Sequence, residues 1–240
     1  MYSFDVRYYS FFLCLSYCVY RSYKPLSLLI NTNNKFIMVK RYYIIKNLIK
    51  SAIMGFITIF LFLFFIPNLL NNIWIDSYNR LIGAIYVSND LAGLFGVPNL
   101  PKSTKIHHIT TVFLYTLICI LSTEKEDNIG KLIVIYTIFS CIPFLVNSYL
   151  GLRFFYNRGD NLTLEEKKIN RIIDINRITA FYIYLVSCLF NWLFHGLFLI
   201  NLINEGKLSL LYILYYGLLV FIINDDIILL TWLKQNKLDL

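Results

Sequence analysis

The chain has 240 residues, of which 58% are hydrophobic, 18% aromatic and only 15% charged, with a net charge of +8 and a mean hydropathy of +0.62. Soluble domains carry about a quarter charged residues, so this composition excludes an ordinary water-soluble globule and points to an all-α, multispan membrane protein. The excess of Lys and Arg then reads as topology, because cations gather on cytoplasmic flanks, and nucleic acid is not expected as a partner.

Residues 1–50 read as a basic and apolar extension. The apolar run Tyr9–Tyr20 covers about a dozen residues, short of the ~20 a crossing helix needs, and implies at most a short extra helix. Met38-Val-Lys-Arg opens a basic stretch, which makes Met38 an alternative start. Six spans follow within a domain of residues 51–235: about 51–70, 81–97, 106–122, 132–152 with Pro143 inside, 178–202 and 208–233. Residues 236–240 are a tail. Short connections imply that consecutive helices lie side by side and antiparallel.

Basic residues alternate correctly for this count. Lys35, Lys40, Arg41, Lys46 and Lys50 precede the first span. Lys102 and Lys105 occupy the turn after the second, and Arg153, Arg158, Lys167, Lys168, Arg171 and Arg177 the loop after the fourth, with Lys234 and Lys237 in the tail. The opposite side has Arg80, Lys125, Lys131 and Lys207. Both termini are therefore expected in the cytoplasm. The sequon Asn161-Leu-Thr163 would then be cytosolic and unmodified. Thr163-Leu-Glu-Glu166 matches a capping box and announces a helix whose isoleucines, 169, 172, 173 and 175, form an interfacial ramp into the fifth span.

Ionisable side chains inside spans are expensive and mark function. Asp90 lies mid-span, and His107 and His108 open the third span. His195 follows Asn191 by one turn in the fifth span, and Asp225 and Asp226 lie in the sixth. Adjacent helical residues point ~100° apart, so one of His107 and His108 is expected to act and the other to support it. Thr111 shares a side with both. Asp90 would orient an imidazole, with the span-three histidines or Arg153 as its partner, although by helical rise it sits ~10 Å deeper than the pair. Of Asp225 and Asp226, only one is expected to face inward. Histidine boxes of the di-iron type are absent, so no metal is expected.

Lys105-Ile-His-His-Ile-Thr-Thr111, after an Asp-bearing span, resembles the signature of TLC-domain membrane proteins. Ile142-Pro-Phe-Leu-Val-Asn-Ser-Tyr-Leu-Gly-Leu-Arg-Phe-Phe155 is similar to a stretch of the branch that lacks ceramide synthase activity. The helix IVIYTIFSCIPFLVNSYL lacks the acidic residues of a ceramide synthase, which also points to that branch. The resemblance, over roughly residues 50–235, implies a six-helix bundle or ring around a lipid cavity and a role in lipid metabolism or sensing in an internal, ER-like membrane. His107, His108 and Asp90 are then the candidates for acyl transfer, with acyl-CoA as co-substrate and no bound cofactor. Thr111, Asn147, Arg153, Asn191, His195 and Asp225 are candidates to line the cavity. A non-enzymatic lipid-binding regulator is the alternative.

Overall fold

A computed structural model of the chain describes residues 4–30, 34–121, 129–156 and 162–235; these contain helices and no strand. The sequon residue Asn161, the cations Arg158, Lys125 and Lys237, and the tail lie outside them. Helix α1 is Val6–Leu28. Helix α2, Lys35–Phe60, runs on through a π-helical turn, Leu61–Phe65, into α3, Ile66–Leu70. Then come α4 (Asp76–Gly96), α5 (Lys102–Ile120), α6 (Ile129–Cys141), α7 (Phe144–Leu152), α8 (Leu164–Asn204) and α9 (Leu210–Gln235).

A buried hydrophobic core shares the interior with polar side chains, and many large apolar side chains face outward. Lys46, Asn47, Lys50, Asn89, Asp90 and His108 are buried, while Phe56, Phe62, Leu63, Leu193, Leu197 and Val220 are exposed. A surface of this kind is unstable in water and suits lipid. Three helical stretches, Lys35–Leu70, Leu164–Asn204 and Leu210–Gln235, are long and apolar enough to cross a membrane. The bent pair α6–α7 makes a fourth if counted as one span. The expected second and third spans, α4 and α5, are not among them, because they carry much of the polar interior described below.

Contacts run from α2 to α4, α5, α9, α8 and α7 and back to α2, a closed cycle of six segments, with α6 continuing α7 into its interior. Helix α1 packs outside the cycle against α4 and α2.

The N-terminal segment differs from the short helix expected. Tyrosines and cations beyond the apolar run extend α1 to 23 residues, a rise of ~34 Å. Asp5 caps it by accepting from the Arg7 N–H and also holds the Arg80 guanidinium at 2.8 Å, and its own N–H donates to the Cys119 carbonyl. At the other end Tyr23 is buried and donates to Asn89 Oδ1 at 3.0 Å. Gly96 permits this approach, since a Cβ there would lie 2.7 Å from the Tyr23 ring. Gly96→Ala is therefore expected to destabilise the protein by about 1–3 kcal/mol, read as a lower thermal midpoint in detergent. Asp5 sits at the end of α5 and Asp225 beside its first turn, and α9 continues past that point. The two described chain ends therefore lie at opposite ends of the bundle. The boundary drawn at residue 50 falls inside α2, and Lys46 and Lys50 belong to the interior, not to a basic flank.

Two further differences concern helix continuity. The capping box at Thr163 is present, with Glu166 accepting from the Thr163 N–H at 2.8 Å. The helix it opens does not stop before the fifth span: α8 is continuous for 41 residues, with Ile169, Ile172 and Ile175 exposed and Ile173 buried. The fourth span, in contrast, is broken at Ile142–Pro143, where α6 and α7 meet at 46°. Proline has no N–H for the carbonyl four residues earlier. That carbonyl, of Phe139, accepts instead from the Ser187 hydroxyl on α8. Thr58 donates to the Cys141 carbonyl and Ser51 to that of Phe144, both at 3.0 Å. Ser187→Ala would leave the Phe139 carbonyl unpaired in an apolar setting. A loss of about 1–3 kcal/mol is expected, visible in thermal unfolding, with Ser187→Thr closer to wild type.

Candidate functional site

The six segments line a cavity of about 320 Å³. Tyr43, Lys46, Asn47 and Lys50 line it from α2; their spacing of three, four and seven residues puts them on one helical face. His107 and His108 reach it from α5, Asn147 from α7, and Asp225 and Asp226 from α9. Tyr86, Tyr184, Arg153 and Trp232 complete much of the wall.

Asp90 is fully buried. Its Oδ1 accepts from the Lys50 ammonium and its Oδ2 from the Thr111 hydroxyl at 3.1 Å, while His108 Nδ1 lies 3.1 Å from Oδ1. Lys50 Nζ also sits 5.2 Å from the centre of the Tyr86 ring. The depth separating Asp90 from the histidines on paper is absent in space: α4 and α5 form a hairpin whose turn, with Asn99 at φ 57, brings the two residues level. Of the partners expected for Asp90, His108 is beside it and Arg153 is not, and Lys50 joins as a partner not expected. Arg153 instead stacks on Trp232, with its guanidinium carbon 4.3 Å from the ring centre.

His107 has its own carboxylate. Its Nδ1 lies 3.3 Å from Asp225 Oδ2, and both side chains are part-exposed to the cavity. The rings of His107 and His108 are nearly perpendicular, with centres 5.7 Å apart. The two histidines are thus unequal, as helical geometry requires, but each is matched to a different aspartate. Asp225 and Asp226 both line the cavity, contrary to the expectation that one would turn away. Asp226 is held by Tyr184 at 2.6 Å and Tyr136 at 3.1 Å, one hydroxyl on each carboxylate oxygen.

Of the other expected cavity residues, Asn147 and Arg153 line the wall. Thr111 lies behind it as a support for Asp90 and also bonds the His108 carbonyl. Asn191 and His195 are elsewhere. His195 is packed among Tyr136, Phe194 and Tyr215, with its ring nitrogens 2.8 Å and 3.3 Å from the carbonyls of Asn191 and Leu132. It is a core histidine between two backbone carbonyls, and in its neutral form its single N–H donates to one of them.

Asp90, His107 and His108 place one ligand atom each within 4.8 Å of one another, close enough for a cation in principle. The Lys50 ammonium already neutralises Asp90 at that point, so a metal would have to share the carboxylate with another positive charge.

Lys46 and Lys50 are the functional residues that charge counting along the sequence overlooked. The signal was available: a mid-span carboxylate requires an opposite charge, and Lys50 lies on the neighbouring apolar run.

No protein-family model, curated protein or solved structure matches the chain.

Proposed function

We propose that the chain is a TLC-like membrane protein that transfers an acyl group to a lipid acceptor inside this cavity. The observation that carries the reading is the His107–Asp225 pair, 3.3 Å apart though not aligned as a hydrogen bond, at a cavity lined by polar side chains. A carboxylate on one ring nitrogen orients the imidazole and raises the basicity of the other. His107 is then the general base: it takes the proton from an acceptor hydroxyl or amine as the acceptor attacks the acyl carbonyl. The new ester or amide bond forms as the donor's thioester C–S bond breaks, and the proton passes to the leaving thiolate. Asp90, committed to Lys50, holds α2, α4 and α5 in register, and His108 packs against it.

Six crossing segments around the cavity fit this reading, with the basic end of the bundle, at Lys102, Lys105, Lys167 and Lys168, facing the cytosol of an internal membrane. Helix α1 is not among the stretches apolar enough to cross by themselves; packed along α4 it would nevertheless place the N-terminal end opposite the C-terminal one, against the expectation of two cytosolic termini. A glycosylation acceptor fused before Met1 is expected to be modified in cells, and one fused after Leu240 is not.

The deciding experiment compares lipids of cells expressing wild type and His107→Ala. An acylated product present only with wild type supports the enzyme. Unchanged lipids with folded protein in both would leave the non-enzymatic lipid-binding role.

A further inference from the structure

The acyl-transfer reading accounts for His107 and Asp225 but leaves a buried cation unused. Lys46 is 3% exposed, yet its side chain lines the cavity. Its stem lies against α4 at Gly93, where a Cβ would come within 3.2 Å of Lys46 Cε, so the helices have been brought close enough to seat it. Lys50, one turn along, is paired with Asp90. Lys46 makes no ion pair within 4 Å, and its ammonium no hydrogen bond, among the described residues. An ammonium drawn out of water without a bonded counter-charge is unfavourable: it gives up its proton unless a ligand supplies the charge.

The surroundings specify that ligand. Arg153 faces the same cavity as a second cation, and Ser103, Thr104 and Asn147 bring hydroxyl and amide donors. Cations with several hydrogen-bond donors match the oxygens of a phosphate. Two carboxylates share the space, Asp225 at 3.3 Å from His107 and Asp226 between the Tyr184 and Tyr136 hydroxyls, so the phosphate is held by Lys46 and Arg153 directly and not by the net charge of the cavity. Lys46 packs against the last turn of α4, near the basic end of the bundle, which is the level of a lipid headgroup if that end lies at the membrane surface. The cavity volume is at the lower end of the ~300–1,000 Å³ usual for ligand sites, which suits a headgroup better than whole acyl chains.

We infer that Lys46, assisted by Arg153, binds a phosphate group, so that the ligand held beside His107 is a phosphate-bearing compound and, by its level in the bundle, a phospholipid. This rests on the cavity being the substrate site but not on acyl transfer occurring there.

The test is binding to the purified full chain in detergent. Dioctanoyl phosphatidic acid, dioctanoylglycerol and inorganic pyrophosphate are titrated against wild type, Lys46→Met and Lys46→Arg, with thermal unfolding as the fold control. The phosphatidic acid is expected to bind wild type and Lys46→Arg and to lose at least about tenfold in affinity with Lys46→Met, a change of ~1.4 kcal/mol. Binding of phosphatidic acid but not pyrophosphate assigns the phosphate to a lipid. Lys46-dependent binding of both supports the site with a soluble phosphate compound as an equal source. Equal affinity for phosphatidic acid and dioctanoylglycerol, or for wild type and Lys46→Met, overturns the inference. Should Lys46→Met fail to fold, amine-reactive labelling of wild type serves instead. Phosphatidic acid must then protect Lys46 where dioctanoylglycerol does not, and equal labelling overturns the inference. Acyl transfer is read separately with His107→Ala, so a phosphate site without turnover, or turnover without a phosphate site, would be seen as such.

Discussion

Lys50→Met is expected to destabilise the protein by about 3–5 kcal/mol, because it leaves the Asp90 carboxylate buried with no cation. Thr111 would still donate to Oδ2, but one hydroxyl does not replace an ammonium on a fully enclosed carboxylate. The measurement is the thermal midpoint of detergent-solubilised protein. Lys50→Met with Asp90→Asn should recover most of the loss, since the double variant removes both charges together. A Lys50→Met protein as stable as wild type would show that the pair does not hold α2 to α4.

His107→Ala is expected to reduce acyl transfer by about 10²–10⁴, the usual contribution of a positioned general base. Asp225→Asn should reduce turnover with little change in KM, because Asp225 acts on the imidazole and not on the substrate. His108→Ala should act differently. Its ring is almost wholly buried against Asp90, so removing it creates a void beside the ion pair and lowers the thermal midpoint more than the turnover of the protein that folds. If His108→Ala abolished turnover while His107→Ala kept it, the roles would be reversed.

The helical class, the α4–α5 hairpin and the cap at Thr163 could be read from residue patterns, and Asp90, His107 and His108 could be singled out, but not their closeness, since helical rise set them ~10 Å apart in depth. Hydropathy, capping chemistry and the rarity of charges inside apolar runs are local properties of the chain. What could not be read depended on pairing between distant segments. Lys46 and Lys50 look like a cytoplasmic flank until α2 is seen to continue unbroken from Lys35 past them, so that they face Asp90 across a helix interface. Tyrosines and cations hid the length of α1, because its buried face mixes Phe12, Val19 and Tyr23 with Ser16 and Ser27 and is not a continuous aliphatic run. His195 shows the converse. Its helical spacing from Asn191 suggested a polar face toward the cavity, whereas it lies between carbonyls of two helices away from that cavity.

The bend at Pro143 has a mechanical consequence. A proline break in a membrane helix often serves as a pivot, since its freed carbonyls leave the two halves loosely tied. Here hydroxyls on α2 and α8 fasten the joint on both sides, at Phe139, Cys141 and Phe144. Flexing it would strip three hydrogen bonds in a medium with no water to replace them. The joint is therefore a fixed elbow and not a pivot, and it holds α2 and α8 at a set distance across the break.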